Sequence, residues 1–330
     1  MNRERVNELM SSFSKQVLVV GDVMLDRFVY GGISRFSPEA PSCPVLSFDN
    51  QTSMLGGAGN SARNLGTLGA KCVRLLGYAG HDDGGRDLKK LMDQDTGAVD
   101  NQLCNSPDRL TTIKTRFVSQ TDGVHLLRED RETVRPLDES EQKTLFYAIK
   151  QWSPVVSGIV VADYDKGVVT PSLLRLVSTI GLERNIPVFI DPKKTHWEHF
   201  KGVELVKPNL DEAYNALGLR AGSCSVEELG DKLLKFTRAK AVIITRGSEG
   251  MSLFTEDETV SSLPTPTKVV DVSGAGDTAM AALALARMAG ATWAEAMELA
   301  NMASGIAVGK SGTATVSAEE MLNKYGEQYA

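Results

Sequence analysis

The run Asp271-Val-Ser-Gly-Ala-Gly-Asp277-Thr278 contains the residue types that phosphoryl transfer requires. Glycines at 274 and 276 let successive backbone N–H groups turn toward one point, and the strongly helical sequence behind them adds the positive end of its dipole. Such a loop makes an anion hole, in which the N–H groups of Gly274, Ala275 and Gly276 face a phosphoryl group as it gathers charge. Asp277 falls in the first turn of the helix, where its carboxylate is expected to stay ionised and to take a proton from an attacking hydroxyl. Phosphoryl transfer asks for positioning and charge stabilisation more than covalent steps, and this segment can supply both. The spacing alone equally allows a plain strand–helix turn with a favourable first-turn acid.

A rival reading starts from the same glycines. Gly274-x-Gly276-x-x-Ala279 and Gly57-x-Gly59-x-x-Ala62 both fit the loose dinucleotide fingerprint, which demands a strand, a helix and a second strand ending in an acid about twenty residues on. After Gly276 the pattern stays helical to about position 309, so no second strand arrives in time. Asp82 stands at a tolerable distance from Gly57, but the polar stretch 49–53 before that glycine is no buried strand. A dehydrogenase is therefore disfavoured.

Taken together, Leu55-Gly-Gly-Ala-Gly-Asn60-Ser-Ala and the Asp271–Thr278 run resemble the two signatures of the ribokinase-like (PfkB) carbohydrate kinases, in the right order and at about the right separation. The resemblance extends over essentially the whole chain. It implies that Asp277 is the general base, and that Gly56, Gly57 and Asn60 line the sugar site, where the backbone must approach closely and an amide can both donate and accept. Asn209-Leu-Asp-Glu212 is similar to the family's N-x-x-E motif, implying a role near Mg²⁺ and its waters; taken alone it is a helix capping box. Thr245-Arg-Gly247-Ser-Glu-Gly250 resembles the nucleotide-phosphate loop, and Asn301 and Ser304 lie where the family packs the adenine of ATP. A monovalent cation such as K⁺, held by backbone carbonyls, is common in the family.

The early segments resemble one branch. Gly21-Asp22-Val-Met-Leu-Asp26-Arg27, Ser34-Arg35-Phe-Ser37-Pro38-Glu39-Ala40-Pro41, Ala162-Asp163-Tyr-Asp-Lys166-Gly167 and Asp191-Pro192-Lys193 look like kinases that phosphorylate D-glycero-β-D-manno-heptose 7-phosphate at its anomeric carbon, on the way to ADP-heptose for lipopolysaccharide. That resemblance implies Asp26 on sugar hydroxyls and Asp163 as a substrate- or phosphate-side residue, or merely a strand-end cap. Arg35, Arg128, Lys166 and Lys193 are the candidates for the 7-phosphate, since a dianion needs fixed cations and guanidinium groups match phosphate oxygens bidentately; at least one of the four is expected to be a surface salt-bridge partner instead. Two departures stand out: Gly59 where the branch more often has alanine, and Asp165 where a small residue is expected. A sugar-phosphate sensor on the same scaffold is the alternative from another class, and the intact Asp277 and glycine loop argue against it.

The elements that must position these residues follow an α/β rhythm. Strands are expected at 16–21, 72–78, 155–162, 188–191, 203–207 and 241–245, and helices at 60–70, 87–94, 171–184, 210–217, 226–236, 276–288 and 293–309. An antiparallel pair is expected at 251–254 and 260–263. Strand–helix alternation implies right-handed crossovers and a mostly parallel sheet flanked by helices. Residues 24–48, broken by glycines and prolines, suit a lid, joined by strand-like runs at 111–119 and 124–129 around the Asp122-Gly123 turn. The expectation is one ribokinase-like unit over 1–330 with a small β-sheet lid from about 24–48 and 111–130. Lids of this sort expose edge strands, so a homodimer through the lid is expected.

Composition sets outer bounds. With 42% hydrophobic and 24% charged residues the 330-residue chain has apolar material for a large core, and a net charge of −6 disfavours nucleic acid or a membrane surface as partner. Cys43, Cys72, Cys104 and Cys224 are scattered, as expected for free thiols in the cytoplasm. No apolar signal or spanning stretch is present. In many bacteria this kinase is fused to an adenylyltransferase with an H-x-G-H motif; His81, His125, His196 and His199 are not so spaced, so a stand-alone kinase is expected.

Overall fold

The computed structural model describes residues 1–94, 98–193, 195–265 and 267–329. The chain enters through α1 (Arg3–Ser11), capped by Asn2, and then β1 (Gln16–Gly21). Two strands of fourteen residues follow, β2 (Val23–Phe36) and β3 (Pro44–Gly57), and then α2 (Ala58–Thr67). Next come β4 (Cys72–Leu76), β5 (Tyr78–Gly80), α3 (Asp83–Gln94), β6 (Val99–Asn101) and β7 (Cys104–Ser106). The hairpin of β8 (Thr112–Ser119) and β9 (His125–Arg131) leads to α4 (Glu139–Trp152), β10 (Gly158–Ala162), α5 (Pro171–Arg184) and β11 (Val188–Asp191). The remainder is β12 (Leu205–Val206), α6 (Leu210–Ala216), α7 (Val226–Thr237), β13 (Ala241–Thr245), β14 (Met251–Thr255), β15 (Thr259–Ser262), α8 (Ala275–Met288), α9 (Trp293–Ala307) and α10 (Ala318–Tyr329).

One nine-stranded sheet has the order β15-β14-β13-β12-β11-β10-β1-β4-β6, parallel from β6 to β13 and antiparallel at β14 and β15. Its strands are apolar on both faces, and period-2 alternation sends neighbours into different cores. Val17 and Val19 of β1, with Val160 of β10, pack beneath α2, α8 and α9. Leu18, Val20, Ile159 and Val161 pack against α4, α5 and α7. The chain runs outward from β1 in both directions, so the crevice beyond the carboxyl ends of β1, β10, β11 and β12 is where an open α/β sheet binds ligands.

A second sheet, order β3-β2-β8-β9, forms the lid. The segment expected to be broken by glycines and prolines is in fact two long antiparallel strands, and β3 runs on to Gly57, directly into α2. Register shifts between Tyr30 and Gly31 and between Ile33 and Arg35 let the glycines and prolines sit inside or beside the ladder instead of breaking it.

Other differences have local causes. The strand expected over 72–78 is divided at Gly77, and β5 leaves to pair with β7. Residues 269–271 are no strand; Val269, Val270 and Val272 are exposed, and the N–H groups of Val270 and Asp271 both donate to Val308 O at the end of α9. Helices α1, α4 and α10 were not expected, although Asp138 and Glu141 form a capping box that the sequence displays.

Candidate active site

Helix α8 starts at Gly274, which has φ +78; a side chain there would also place its Cβ 2.6 Å from the Asn60 amide nitrogen. Three residues on, Asp277 is buried where α8 packs against α2. Asn60 Nδ2 donates to Oδ2 at 2.7 Å, Ser61 Oγ donates to Oδ1 at 3.2 Å, and the Tyr164 hydroxyl also donates to Oδ1. Burial pushes the Asp277 carboxyl above its usual range, and Tyr164, Asn60, the nearby Lys207 ammonium and Ser61 oppose it. Specific donors thus offset part of the desolvation, a different balance from the helix-end effect expected from sequence.

Lys207 at the end of β12 and Asp191 at the end of β11 form a buried pair at 3.1 Å. Burial raises the Asp191 carboxyl to about 6, opposed by Lys207. Lys207 Nζ stands 3.6 Å from where a Cβ on Gly276 would be, so it faces the same glycine loop. Asn209 and Glu212 make a reciprocal capping box, 2.8 Å in each direction, and Glu212 Oε1 also accepts from Lys193 Nζ at 2.6 Å. Tyr164, Asp191, Lys193, Lys207, Glu212, Gly274 and Asp277 line one cavity of about 200 Å³.

A larger cavity, about 650 Å³, adjoins it through Asn209, Thr245 and Gly276. Gly247, Gly250, Asn301 and Ser304 line it, with Pro264, Val272, Ala279 and Val308 as apolar walls. Asn301 Nδ2 donates to Ser262 Oγ at 2.7 Å, tying α9 to the end of β15, and Ser304 Oγ donates to Ala275 O at 3.3 Å, tying α9 to the start of α8. All five positions assigned to a nucleotide beyond Asn209 and Glu212 therefore converge on one space.

The lid sets a row of charged side chains by strand register. Asp26 on β2 lies opposite Lys114 on β8, which lies opposite Asp130 on β9; one step along the same face are Phe28, Arg116 and Arg128. Arg116 donates to Asp26 at 2.5 Å and its guanidinium stacks over Phe28 at 5.1 Å. Arg128 grips Asp130 through two nitrogens, at 2.6 and 2.7 Å. Lys114 meets Asp130 at 3.3 Å, and Lys166 meets Glu132 at 3.0 Å. Gly56 backs this row, since a Cβ there would lie 2.2 Å from Asp26 Oδ2; Gly57, φ +56, is the N-cap of α2.

Several expected residues are placed differently. Lys193 is engaged by Glu212 at the small cavity, while Arg128 and Lys166 belong to the lid cluster. Arg35 is exposed beyond both register shifts, nine residues along β2 from Asp26, or about 30 Å at the usual strand rise. The structure does not bring it to this site. Asp163 caps its own loop: Oδ1 accepts the Asp165 N–H at 2.9 Å, and burial, with Asp22 nearby, raises its carboxyl to about 7. Asp165 has φ +58, which accounts for a small residue being expected there.

Sequence reasoning passed over Ser61, Tyr164, Lys207, Lys114 and Arg116. The alternation Lys114-x-Arg116 in an obvious strand was a usable signal, because i and i+2 share a face. Nothing in the sequence tied Tyr164 to Asp277.

A nine-stranded α/β sheet with a lid, a glycine loop at a helix start and a buried carboxylate at the smaller of two adjoining cavities define a small-molecule kinase of the ribokinase-like class. The chain belongs to the PfkB family: the pfkB family carbohydrate kinase profile matches residues 14–321. It is 43% identical over 309 residues to the bifunctional protein HldE of Hyphomonas neptunium, covering 93% of this chain and 63% of that protein. A Caulobacter vibrioides protein of the same name is 43% identical over 311 residues, covering 93% and 62%. The chain thus spans somewhat under two thirds of these relatives. Among solved structures, Escherichia coli phosphofructokinase-2 in complex with substrates and products superposes with a TM-score of 0.76 at 20% identity, covering 95% of this chain and 99% of that one. Arabidopsis thaliana ribokinase complexed with ribose and ATP gives 0.71 at 19% identity, covering 94% and 98%. Among the described residues no helix is long and apolar enough to cross a membrane.

Proposed function

We propose that this sugar kinase transfers the γ-phosphoryl group of ATP to the anomeric C1 hydroxyl of D-glycero-β-D-manno-heptose 7-phosphate, giving the 1,7-bisphosphate used for ADP-heptose and lipopolysaccharide core synthesis. The observation that carries the chemistry is Asp277, buried at the small cavity that adjoins a nucleotide-sized one and hydrogen-bonded by Asn60, Ser61 and Tyr164. ATP lies along the larger cavity, with its base between α9 and the 264–272 wall and its phosphates over Gly247, Gly250 and the Gly274–Gly276 N–H groups. Asp277 takes the C1 hydroxyl proton as the C1 oxygen bonds to Pγ and the bond from Pγ to the ADP oxygen breaks. The loop N–H groups and Lys207 stabilise the charge on the transferring group.

Two carboxylates, Asp191 and Glu212, face the junction of the cavities. That donor set fits magnesium bound largely through its waters, with Glu212 and Asn209 organising those waters. Bound there, magnesium neutralises phosphate charge. Asp271 joins its loop to the 308–312 segment by accepting the Gly312 N–H at 2.9 Å, and the carbonyls around that junction are where a monovalent cation such as K⁺ would sit.

The acceptor reading rests on the lid. Four cations, Lys114, Arg116, Arg128 and Lys166, face three carboxylates, Asp26, Asp130 and Glu132, leaving a positive surplus for a substrate phosphate. Asp26 and Asn60 hold sugar hydroxyls. A cytoplasmic homodimer paired through the lid is part of this reading. ADP release measured against heptose, fructose and tagatose phosphates tests it: the heptose 7-phosphate should give the highest kcat/KM, and a better fructose or tagatose phosphate would reassign the acceptor. Asp277→Asn should lower kcat by about 10²- to 10⁴-fold with ATP binding retained. Sugar-phosphate binding with no ADP formed by the unaltered protein would instead favour a sensor.

A further inference from the structure

The Asp277 carboxylate offers about four acceptor positions, two on each oxygen. Ser61 and Tyr164 both donate to Oδ1, and Asn60 donates to Oδ2. We infer that Tyr164 is a positioning residue for the base, closing Oδ1 so that the acceptor hydroxyl can deliver its proton only to the open position on Oδ2. The inference rests on the reading of Asp277 as general base.

The tyrosine is held for this by a carboxylate that has no other evident task. Asp22, buried just past the end of β1, accepts the N–H groups of Tyr164 at 2.8 Å, Lys166 at 3.2 Å and Val168 at 3.0 Å. Asp163 fixes the next peptide by accepting from Asp165, whose left-handed φ of +58 turns the chain between them. Every peptide from 164 to 166 therefore has its N–H committed to one of two buried carboxylates. Arg109 closes the loop from behind, donating to Lys166 O at 2.8 Å. Lys193 Nζ sits 5.1 Å over the ring, on the side of the small cavity. So rigid a mounting delivers a hydroxyl to a fixed point, which packing alone would not need.

A donor to the ionised form of a buried acid lowers its pKa, and removing that donor raises it. The other charged groups around Asp277 are Lys207 just past β12, Lys193 and Asp191 beside the end of β11, Asp26 on β2 and Glu212 on α6. None of them changes in Tyr164→Phe, which keeps the ring beneath Lys193. The acid limb of kcat/KM against pH should move upward by about one unit or more, as expected for a hydrogen bond to a charged group. Activity would then fall roughly tenfold or more below the limb and by less than about threefold at pH 9. Replacing Tyr164 with 3-fluorotyrosine, a stronger donor of nearly the same shape, should move the limb downward. This second variant carries the test if Tyr164→Phe fails to fold.

A uniform loss at every pH, or an unmoved limb in both variants, would overturn the inference. Asp277→Asn separates the two readings. If that variant turns over normally, the base assignment fails and this inference with it. If it is inactive while the limb stays fixed in the tyrosine variants, only the role of Tyr164 fails.

Discussion

Asp26 and Arg116 show how one residue pair can tie substrate recognition to strand register. The two side chains meet across adjacent strands because β2 and β8 are parallel and in a register that puts both on the inner face of the lid. Both are largely buried, so the pair sits in a low-dielectric position where a charge-assisted hydrogen bond counts. Arg116→Met keeps most of the stem that packs on Phe28 and removes the guanidinium. It should raise the KM for the sugar phosphate by about 10- to 100-fold, the worth of a hydrogen bond to a charged group. The KM for ATP should change by less than about twofold, because the nucleotide cavity is lined by other elements. Steady-state kinetics with each substrate varied in turn checks this, and equal changes in both KM values would mean that Arg116 supports the fold and not the acceptor.

At the scale of elements, α6 has a start that serves two purposes. Its N-cap Asn209 and N3 residue Glu212 satisfy each other's backbone N–H groups, the arrangement that Asn-x-x-Glu favours on local grounds alone. The same carboxylate faces Lys193 and the cavity where the phosphates and magnesium are proposed to meet. Gln at N3 also completes a capping box, so Glu212→Gln should leave thermal stability within a few degrees of the parent. It should nevertheless raise the magnesium concentration for half-maximal rate several-fold. Glu212→Ala should lose both, with about 1 kcal/mol of stability gone with the cap. Melting curves and magnesium titrations of the two variants separate the roles; if both titrate like the parent, Glu212 is a cap only. The same element shows what the sequence made legible. The motif, its place after a strand and the strand–helix alternation around it are local properties, written in neighbouring residues, and the central sheet from β10 to β13 follows from them. The lid did not follow, because its long strands contain the glycines and prolines that ordinarily end a strand, and only the pairing of β2 with β3 and β8 shows that bulges absorb them. Tyr164 and Lys207 were illegible for a related reason. Their proximity to Asp277 depends on which strands are neighbours, and strand order is not a local property.

At the scale of the whole molecule, the lid leaves a question that its own sheet does not answer. Its two edges, β3 and β9, carry long exposed stretches, and every residue of β9 is exposed. Around its distal half the large apolar side chains Phe36, Phe48 and Leu127 are each at least 60% exposed. Unpaired edge strands with exposed aromatics invite pairing with another chain, and soluble proteins usually blunt such edges with charge, proline or a covering element. Here Pro44 opens one edge strand, Asp49 is the charge beside Phe48 on it, and Arg128 and Arg131 mark the other, but among the described residues no element covers the Phe48 side chain. A second copy, pairing lid to lid, would cover these side chains without covering the nucleotide cavity on the other side of the site. Sedimentation velocity across a hundredfold range of concentration should therefore show a monomer–dimer equilibrium or a stable dimer. Phe48→Asp places a charge in the middle of the proposed contact while leaving Asp26, Arg116 and Arg128 untouched, and should shift the equilibrium toward monomer by at least about tenfold. The parent sedimenting as a monomer throughout would remove the dimer from the proposal. A dimer unmoved by Phe48→Asp would place its interface elsewhere on the surface, away from the lid.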